Sequence, residues 1–143
     1  MEILIRNSQA LPVKQKRLTE TAEKMLRAEG CPESSEVSIL LIDDEGITSL
    51  NREYLGKDRP TDVLSFYQSE NPEERGDVLG DIVISVETAK RQADERKKSL
   101  DEELDLLVSH GILHLLGYTD YTEETARRMQ ERAAEVIGPE AAR

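Results

Sequence analysis

The chain has 143 residues, a single cysteine and a formal net charge of −11. This length is typical of one domain with its own core, so we expect one domain over residues 1–143. One cysteine excludes an intramolecular disulfide and a four-cysteine zinc site, and the negative charge disfavours a nonspecific nucleic-acid binder. With no secretory leader and no apolar run of membrane-spanning length, the sequence predicts a soluble, cytoplasmic protein without membrane contact.

The first half of the chain alternates strands with helices. Segments rich in Ile, Val and Leu, bounded by turn-forming residues, predict four strands: Glu2 to Arg6, Val37 to Asp43, Thr61 to Tyr67 and Leu79 to Val86. Apolar residues at helical spacing predict a helix over Val13 to Glu29, stopped by Gly30, and a short helix that ends at Gly56. The polar residues 68–77 predict a loop.

The second half predicts three more helices. The first covers Val86 to Lys98, and Ser99 with Glu102 forms a capping-box pattern that begins the second. Thr122 can cap the third, which ends before Gly138 and Pro139. Together these elements predict an α/β or α+β sandwich, with helices packed on one sheet.

Both histidines of the chain lie in the stretch "SHGILHLLGYTDYTEE". His110 and His114 are four residues apart, so a helix places them on one face, and a turn at Gly117 can bring Asp120 beside them. Three protein donors with an open position describe a catalytic metal site. The alternative is a pair of half-buried histidines bonded to backbone carbonyls. Gly111 stands where protease zincins carry a glutamate, which disfavours peptide hydrolysis by that mechanism.

Three stretches give the chain a family resemblance: "LNREYLGKDRPTDVLSF", "LGDIVIS" and "HGILHLLGYTD". In type, order and spacing they resemble the YbeY-type metal-dependent endoribonucleases, which are ribosomal RNA maturation factors. The resemblance implies a small sandwich with a four-stranded mixed sheet, about five helices and a zincin-like metal helix. It also implies cleavage of single-stranded RNA during maturation and quality control of small-subunit ribosomal RNA.

The resemblance implies one divalent metal ion as the cofactor, with zinc favoured over other metals. His110, His114 and Asp120 would hold it in this chain. The partners implied are ribosomal RNA and the small ribosomal subunit with its assembly proteins.

The sequence departs from the family pattern at the third metal ligand and at a phosphate-binding arginine. Thr119 and Asp120 replace an aspartate and a histidine, and a carboxylate ligand predicts weaker Lewis acidity and could favour iron or manganese. Leu55 replaces the arginine, which could hold a phosphate through two hydrogen bonds. Either Lys57 or Arg59 reaches the same space, or Leu55 packs beneath the short helix and the clamp is absent.

The candidate catalytic residues are therefore Arg59, Lys57 and Asp62, with the two cations expected to face the metal cleft. Asp62 either orients a histidine or caps a turn, and the structural role is favoured. Two other functions stay open: a noncatalytic ribosome-assembly factor of the same fold, and a metal-dependent hydrolase of a small substrate.

Overall fold

The computed structural model describes residues 1–143, with the side chains of all but Pro72 and Arg75. The four predicted strands form one sheet: β1 (Glu2–Asn7), β2 (Glu36–Ile42), β3 (Val63–Tyr67) and β4 (Val78–Ser85). Their order is β1-β2-β4-β3, in which β1, β2 and β4 are parallel and β3 is an antiparallel edge strand. The expectation of a four-stranded mixed sheet is therefore confirmed.

Five helices of ten residues or more accompany the sheet in residues 1–143. They are α1 (Gln15–Ala28), α2 (Asp44–Leu55), α4 (Val86–Glu95), α5 (Leu100–Leu115) and α6 (Glu123–Ile137). Two four-residue helices, α3 (Pro72–Arg75) and α7 (Pro139–Ala142), complete the order of elements. No helix among the described residues is long and apolar enough to cross a bilayer.

The helix ends follow local side-chain chemistry. Ser99 and Glu102 form the predicted capping box of α5, and Thr122 caps α6 through the amide of Thr125. Asp43 caps α2 by accepting a hydrogen bond from the amide of Gly46. These caps satisfy amide groups that have no partner within the helix, which explains why the sequence begins each helix there.

Apolar residues cover the two faces of the sheet unequally. The main core lies between the sheet and helices α1, α4, α5 and α6, and β4 contributes Ile82 and Ile84 to it. The intervening Val83 points to the other face, where it packs with Ile47 of α2. This alternation follows from the two-residue period of a strand. It leaves α5 at the centre of the main layer.

Two glycines allow close approach of the backbone beside the site. A Cβ at Gly111 would lie 2.7 Å from Ile82 Cγ2, so this glycine lets α5 approach β4. Gly80 has φ +149, and a Cβ there would lie 2.1 Å from the carbonyl oxygen of Phe66 on β3. The pairing of β3 with β4 and the packing of α5 on the sheet therefore both require a residue without a side chain.

Candidate active site

The turn after α5 brings Asp120 back to the histidine helix. Gly117 has φ +101, and its amide donates to the carbonyl of His114 at 3.0 Å, while the amide of Tyr118 donates to that of Leu113 at 2.9 Å. The chain thus reverses within two residues of the helix end. As a result, Asp120 Oδ2 lies 3.8 Å from His114 Nε2, as the sequence predicts for these two residues.

The hydrogen bond of His114 determines which ring nitrogen carries a proton. Nδ1 of His114 lies 3.1 Å from the carbonyl oxygen of Tyr118, and because a carbonyl can only accept, Nδ1 must be the donor. In the neutral imidazole the lone pair is then on Nε2, the nitrogen nearest Asp120. A backbone carbonyl on the outer nitrogen is the usual support of a metal-binding histidine.

His110 is held differently, by a side chain from α6. Its Nε2 donates to Oε1 of Gln130 at 3.1 Å, and the amide nitrogen of Gln130 donates in turn to the carbonyl of Ala142. Burial lowers the pKa of His110, and the nearby His114 lowers it further, against the raising effects of Gln130, Asp62 and Asp120. The ring is therefore biased towards its neutral form, the form that binds a cation.

The donor atoms of these residues are of the types that bind a divalent cation, but the conformation of His110 limits what it offers to one. His114 Nε2 and Asp120 provide a nitrogen and an oxygen donor, and the charges of Asp62 and Asp120 both act on the His110 ring. Nε2 of His110, however, is occupied by Gln130. Among the described side chains, no group of three or more His, Cys, Asp or Glu is arranged to hold a metal ion. His110 in this conformation offers only Nδ1.

Five of the six candidate residues line one cleft of about 750 Å³, and His110 is not part of its lining. Its lining includes His114 and Asp120 from α5 and the turn after it, with Lys57 and Arg59 from the loop before β3. The two cations therefore lie where the sequence predicts them. Arg52, the other cation of that stretch, is instead paired with Asp58.

Leu55 also lines this cleft, and 56% of its surface is exposed. The alternative in which it packs beneath the short helix is therefore wrong. Leu55 is the last residue of α2, and the left-handed Gly56 turns the chain away directly after it, which leaves the side chain at the rim. An arginine at this position would reach the cleft, and a leucine leaves that part of the wall apolar.

Asp62 serves the local backbone. Its Oδ1 accepts from the amide of Val63 at 2.7 Å and from the Thr61 hydroxyl at 3.4 Å, which is the turn-capping role. Its side chain makes no hydrogen bond to a histidine among the described residues, although its charge raises the pKa of His110. Asp62 is thus part of the cleft wall and of its electrostatic field.

Several residues on other elements support the site through hydrogen bonds. Ser65 Oγ donates to the carbonyl of Gly111 at 3.2 Å, and the Tyr67 hydroxyl donates to that of His114 at 3.1 Å, so β3 is bonded directly to the histidine helix. Asn51 is 2% exposed, and its amide nitrogen donates to the carbonyl of Arg59 at 2.9 Å. Like Gln130, these residues are distant in sequence from the groups they hold, and no spacing marks them.

Comparison with known proteins places the chain among relatives of one kind. The sequence model of the family described as Endoribonuclease YbeY matches residues 4–139. Endoribonuclease YbeY of Pelotomaculum thermopropionicum is 46% identical over 125 residues, covering 85% of this chain and 82% of that protein. The Syntrophus aciditrophicus protein of the same name is 43% identical over 147 aligned positions, covering 96% of this chain and 88% of that protein.

A solved structure agrees with the fold. The solution structure of TM1509 from Thermotoga maritima superposes with a TM-score of 0.66 at 29% sequence identity. The match covers 98% of this chain and 88% of that one. The sandwich described above is therefore shared with a protein of known structure over almost the whole chain.

Proposed function

Because the chain belongs to the endoribonuclease YbeY family, we propose that it is a metal-dependent nuclease that cleaves single-stranded RNA in the maturation and quality control of small-subunit ribosomal RNA. Its partners are then ribosomal RNA and the small ribosomal subunit with its assembly proteins, and it acts in the cytoplasm. The cofactor in this proposal is one divalent ion, zinc before iron or manganese, held by His110, His114 and Asp120.

One observation carries the proposal: a single cleft combines a histidine and a carboxylate with two cations. His114 Nε2 lies 3.8 Å from Asp120, and Lys57 and Arg59 line the same cleft. No ion pair engages either cation among the described side chains, so both are available to an anion. Donors for a cation beside donors for an anion are what a metal-assisted phosphodiesterase requires.

Each residue then has a defined part. A divalent ion supplies Lewis acidity at a phosphoryl oxygen and lowers the pKa of water. Lys57 and Arg59 bind the phosphate and stabilise the negative charge that develops on it. The carbonyl of Tyr118 keeps the proton on Nδ1 of His114, and Gln130 fixes the ring of His110 by accepting from its Nε2.

The test measures RNA cleavage and metal content on the same preparations. Wild type should cleave single-stranded RNA, lose the activity in a chelator and regain it when zinc is restored. His114→Ala should contain no metal by elemental analysis and should not cleave. Equal metal in wild type and His114→Ala would show that the ion is held elsewhere, and cleavage that persists in chelator would contradict metal dependence.

Leu55 favours one other function of the same fold. The cleft lacks a guanidinium at the position where Leu55 is exposed, which weakens its hold on a phosphate. A noncatalytic ribosome-assembly factor would bind RNA through Lys57 and Arg59 without cleaving it. Metal-loaded wild-type protein that binds single-stranded RNA and leaves it intact would establish that function in place of the nuclease.

A further inference from the structure

Tyr121 is the most exposed large apolar side chain in the described part of the molecule. It is 87% exposed, compared with 59% for Tyr54 and 46% for Tyr67. It directly follows Asp120 and lines the same cleft. The only aromatic ring pair found among the described side chains joins Tyr54 to Phe66, so the ring of Tyr121 has no aromatic neighbour there.

The residues that line the cleft with Tyr121 indicate which kind of ligand its ring binds. The same lining contains Leu55, which is 56% exposed, and the cations Lys57 and Arg59. Proteins that bind single-stranded nucleic acid without sequence preference combine positive charge along the backbone with aromatic faces on which bases stack. An apolar protein partner would explain the exposed ring and leucine but would leave the two cations of the lining unused.

We infer that Tyr121 is a stacking platform for a base of single-stranded RNA, beside the phosphate that Lys57 and Arg59 hold. The inference rests on the proposed function and adds a base-binding subsite to it. A paired base is stacked on both sides by its neighbours, whereas an unpaired base has a free face for the ring. Leu55 supplies an apolar part of the same lining. Selection of single strands in this chain therefore comes from stacking, in a cleft that lacks the arginine of the family.

Binding can be measured without cleavage, which separates this inference from the proposed function. Fluorescence anisotropy of a labelled short oligoribonucleotide, with chelator present, gives the affinity of metal-free protein. Tyr121→Ala should weaken binding roughly tenfold, the scale of one lost base stack. Tyr121→Phe should bind like wild type, because stacking needs the ring and not the hydroxyl. Tyr54→Ala is the matched control: an exposed tyrosine outside this cleft, expected to leave binding unchanged.

The salt dependence gives a second readout that a loosened fold would not reproduce. Stacking is uncharged, so Tyr121→Ala should lower affinity equally at low and high salt, with the slope of log affinity against log salt unchanged. Unchanged affinity in Tyr121→Ala, or loss of binding in Tyr121→Phe, would overturn the stacking site and leave the nuclease function standing. Absence of RNA binding by wild type, in both its metal-free and its zinc-loaded forms, would overturn both. Thermal melting of each variant confirms that the folded protein is being compared.

Discussion

The two halves of α5 differ in whether their charged side chains are paired. In the first half, Glu103 is fully buried and is paired with Arg96 at 2.8 Å and Lys98 at 3.2 Å. Asp105, two residues on, accepts from Arg17 and Thr21, both at 2.8 Å. Glu103 and Asp105 are thus both bonded to residues outside α5, and these bonds tie α5 to α1 and to the segment after α4.

Around the second half of α5, in the turn after it and in the loop before β3, ionisable groups lie close together without forming hydrogen-bonded ion pairs. His114 and Asp120 are 3.8 Å apart, beyond a normal hydrogen bond, and Lys57 and Arg59 face the same cleft. Completing these pairs would stabilise the fold by little, since exposed ion pairs contribute about 0–1 kcal/mol. Under the proposed function, the first half of α5 stabilises the fold, and the second half and the turn after it keep their polar groups for ligands.

The largest effect should come from breaking the first half. Glu103→Gln removes the negative charge between Arg96 and Lys98, and the Lys98 side chain is fully buried. Removing one partner of a buried ion pair leaves the other charge uncompensated, so the free energy of unfolding should fall by ~3–5 kcal/mol. Urea unfolding measures this loss.

Glu95→Gln provides the control, because Glu95 is an exposed carboxylate at the end of the neighbouring helix. Its unfolding free energy should match that of wild type. RNA affinity should be unaffected in both variants at temperatures where they are folded. A Glu103→Gln loss no larger than that of Glu95→Gln would mean that the buried pairs do not stabilise this half of the helix.

Substitutions in the cleft beside the second half of α5 should change RNA cleavage and leave stability unchanged. Leu55→Arg restores a charged donor at the cleft, and one such donor stabilises a phosphoryl transition state by about 3 kcal/mol, roughly a hundredfold in rate. Leu55 is exposed, so the fold should accept the guanidinium. Asp120→His should raise cleavage less, since two histidines and a carboxylate already form a working catalytic set in other enzymes.

Both variants need matched metal content and the same single-stranded RNA, and urea unfolding should show them as stable as wild type. A larger gain for Asp120→His would mean that metal acidity limits the rate, and would reverse this order. If neither variant cleaves RNA, the assembly-factor function becomes the better account of the cleft.

Gly111 lies in the second half of α5, between His110 and His114, and packs against β4, so Gly111→Ala should affect both stability and cleavage. Its new Cβ would lie 2.7 Å from Ile82 Cγ2, and such overpacking costs ~1–3 kcal/mol, against the ~1 kcal/mol that alanine gains in a helix. We expect a net loss of up to about 2 kcal/mol in urea unfolding, with slower cleavage because α5 moves away from β4. The double variant with Ile82→Ala should lose less than the sum of the single losses, and strict additivity would show that the two residues do not compete for space.

The sequence predicts the elements of this fold better than their arrangement. The four strands and five longer helices follow from local periodicity and capping, as the box at Ser99 and Glu102 shows. Helix α3 was expected to be part of a loop, because four residues are too few to show a helical period. The order β1-β2-β4-β3 is set by tertiary packing, for which the separate strands carry no local signal.

The same division holds within the site. The proximity of His114 and Asp120 is predictable because a helix and one glycine turn connect them. Gln130, whose side chain bonds His110 Nε2, belongs to α6 and is 20 residues away in sequence. Tyr67 reaches the carbonyl of His114 from 47 residues away. Local spacing thus predicts the candidate donors, and the side chains that orient them emerge only from the assembled layers.

The smallest predicted effect concerns Asp44. This carboxylate is partly buried, and so lies between the buried Glu103 and the exposed Asp120. Asp44 Oδ1 accepts from the hydroxyls of Ser85 and Thr88, both at 2.6 Å, and its other oxygen is paired with Arg91 at 2.8 Å. Burial alone would raise the pKa of Asp44, but the bonds from Ser85, Thr88 and Arg91 outweigh it and lower the pKa from its ordinary 3.8.

Since the pKa of Asp44 is lowered in the folded state, its ionised form stabilises the fold above pH 3.8, and this stabilisation is lost as the pH falls through the folded pKa. Asp44→Asn keeps an oxygen acceptor and removes the charge, so it should lower the unfolding free energy at neutral pH by only about 0.5–1 kcal/mol. Urea unfolding of both proteins over a pH series should show a constant difference at neutral pH that shrinks below pH 3.8. A difference that stays the same into acid would show that the variant acts through packing and not through the charge of Asp44.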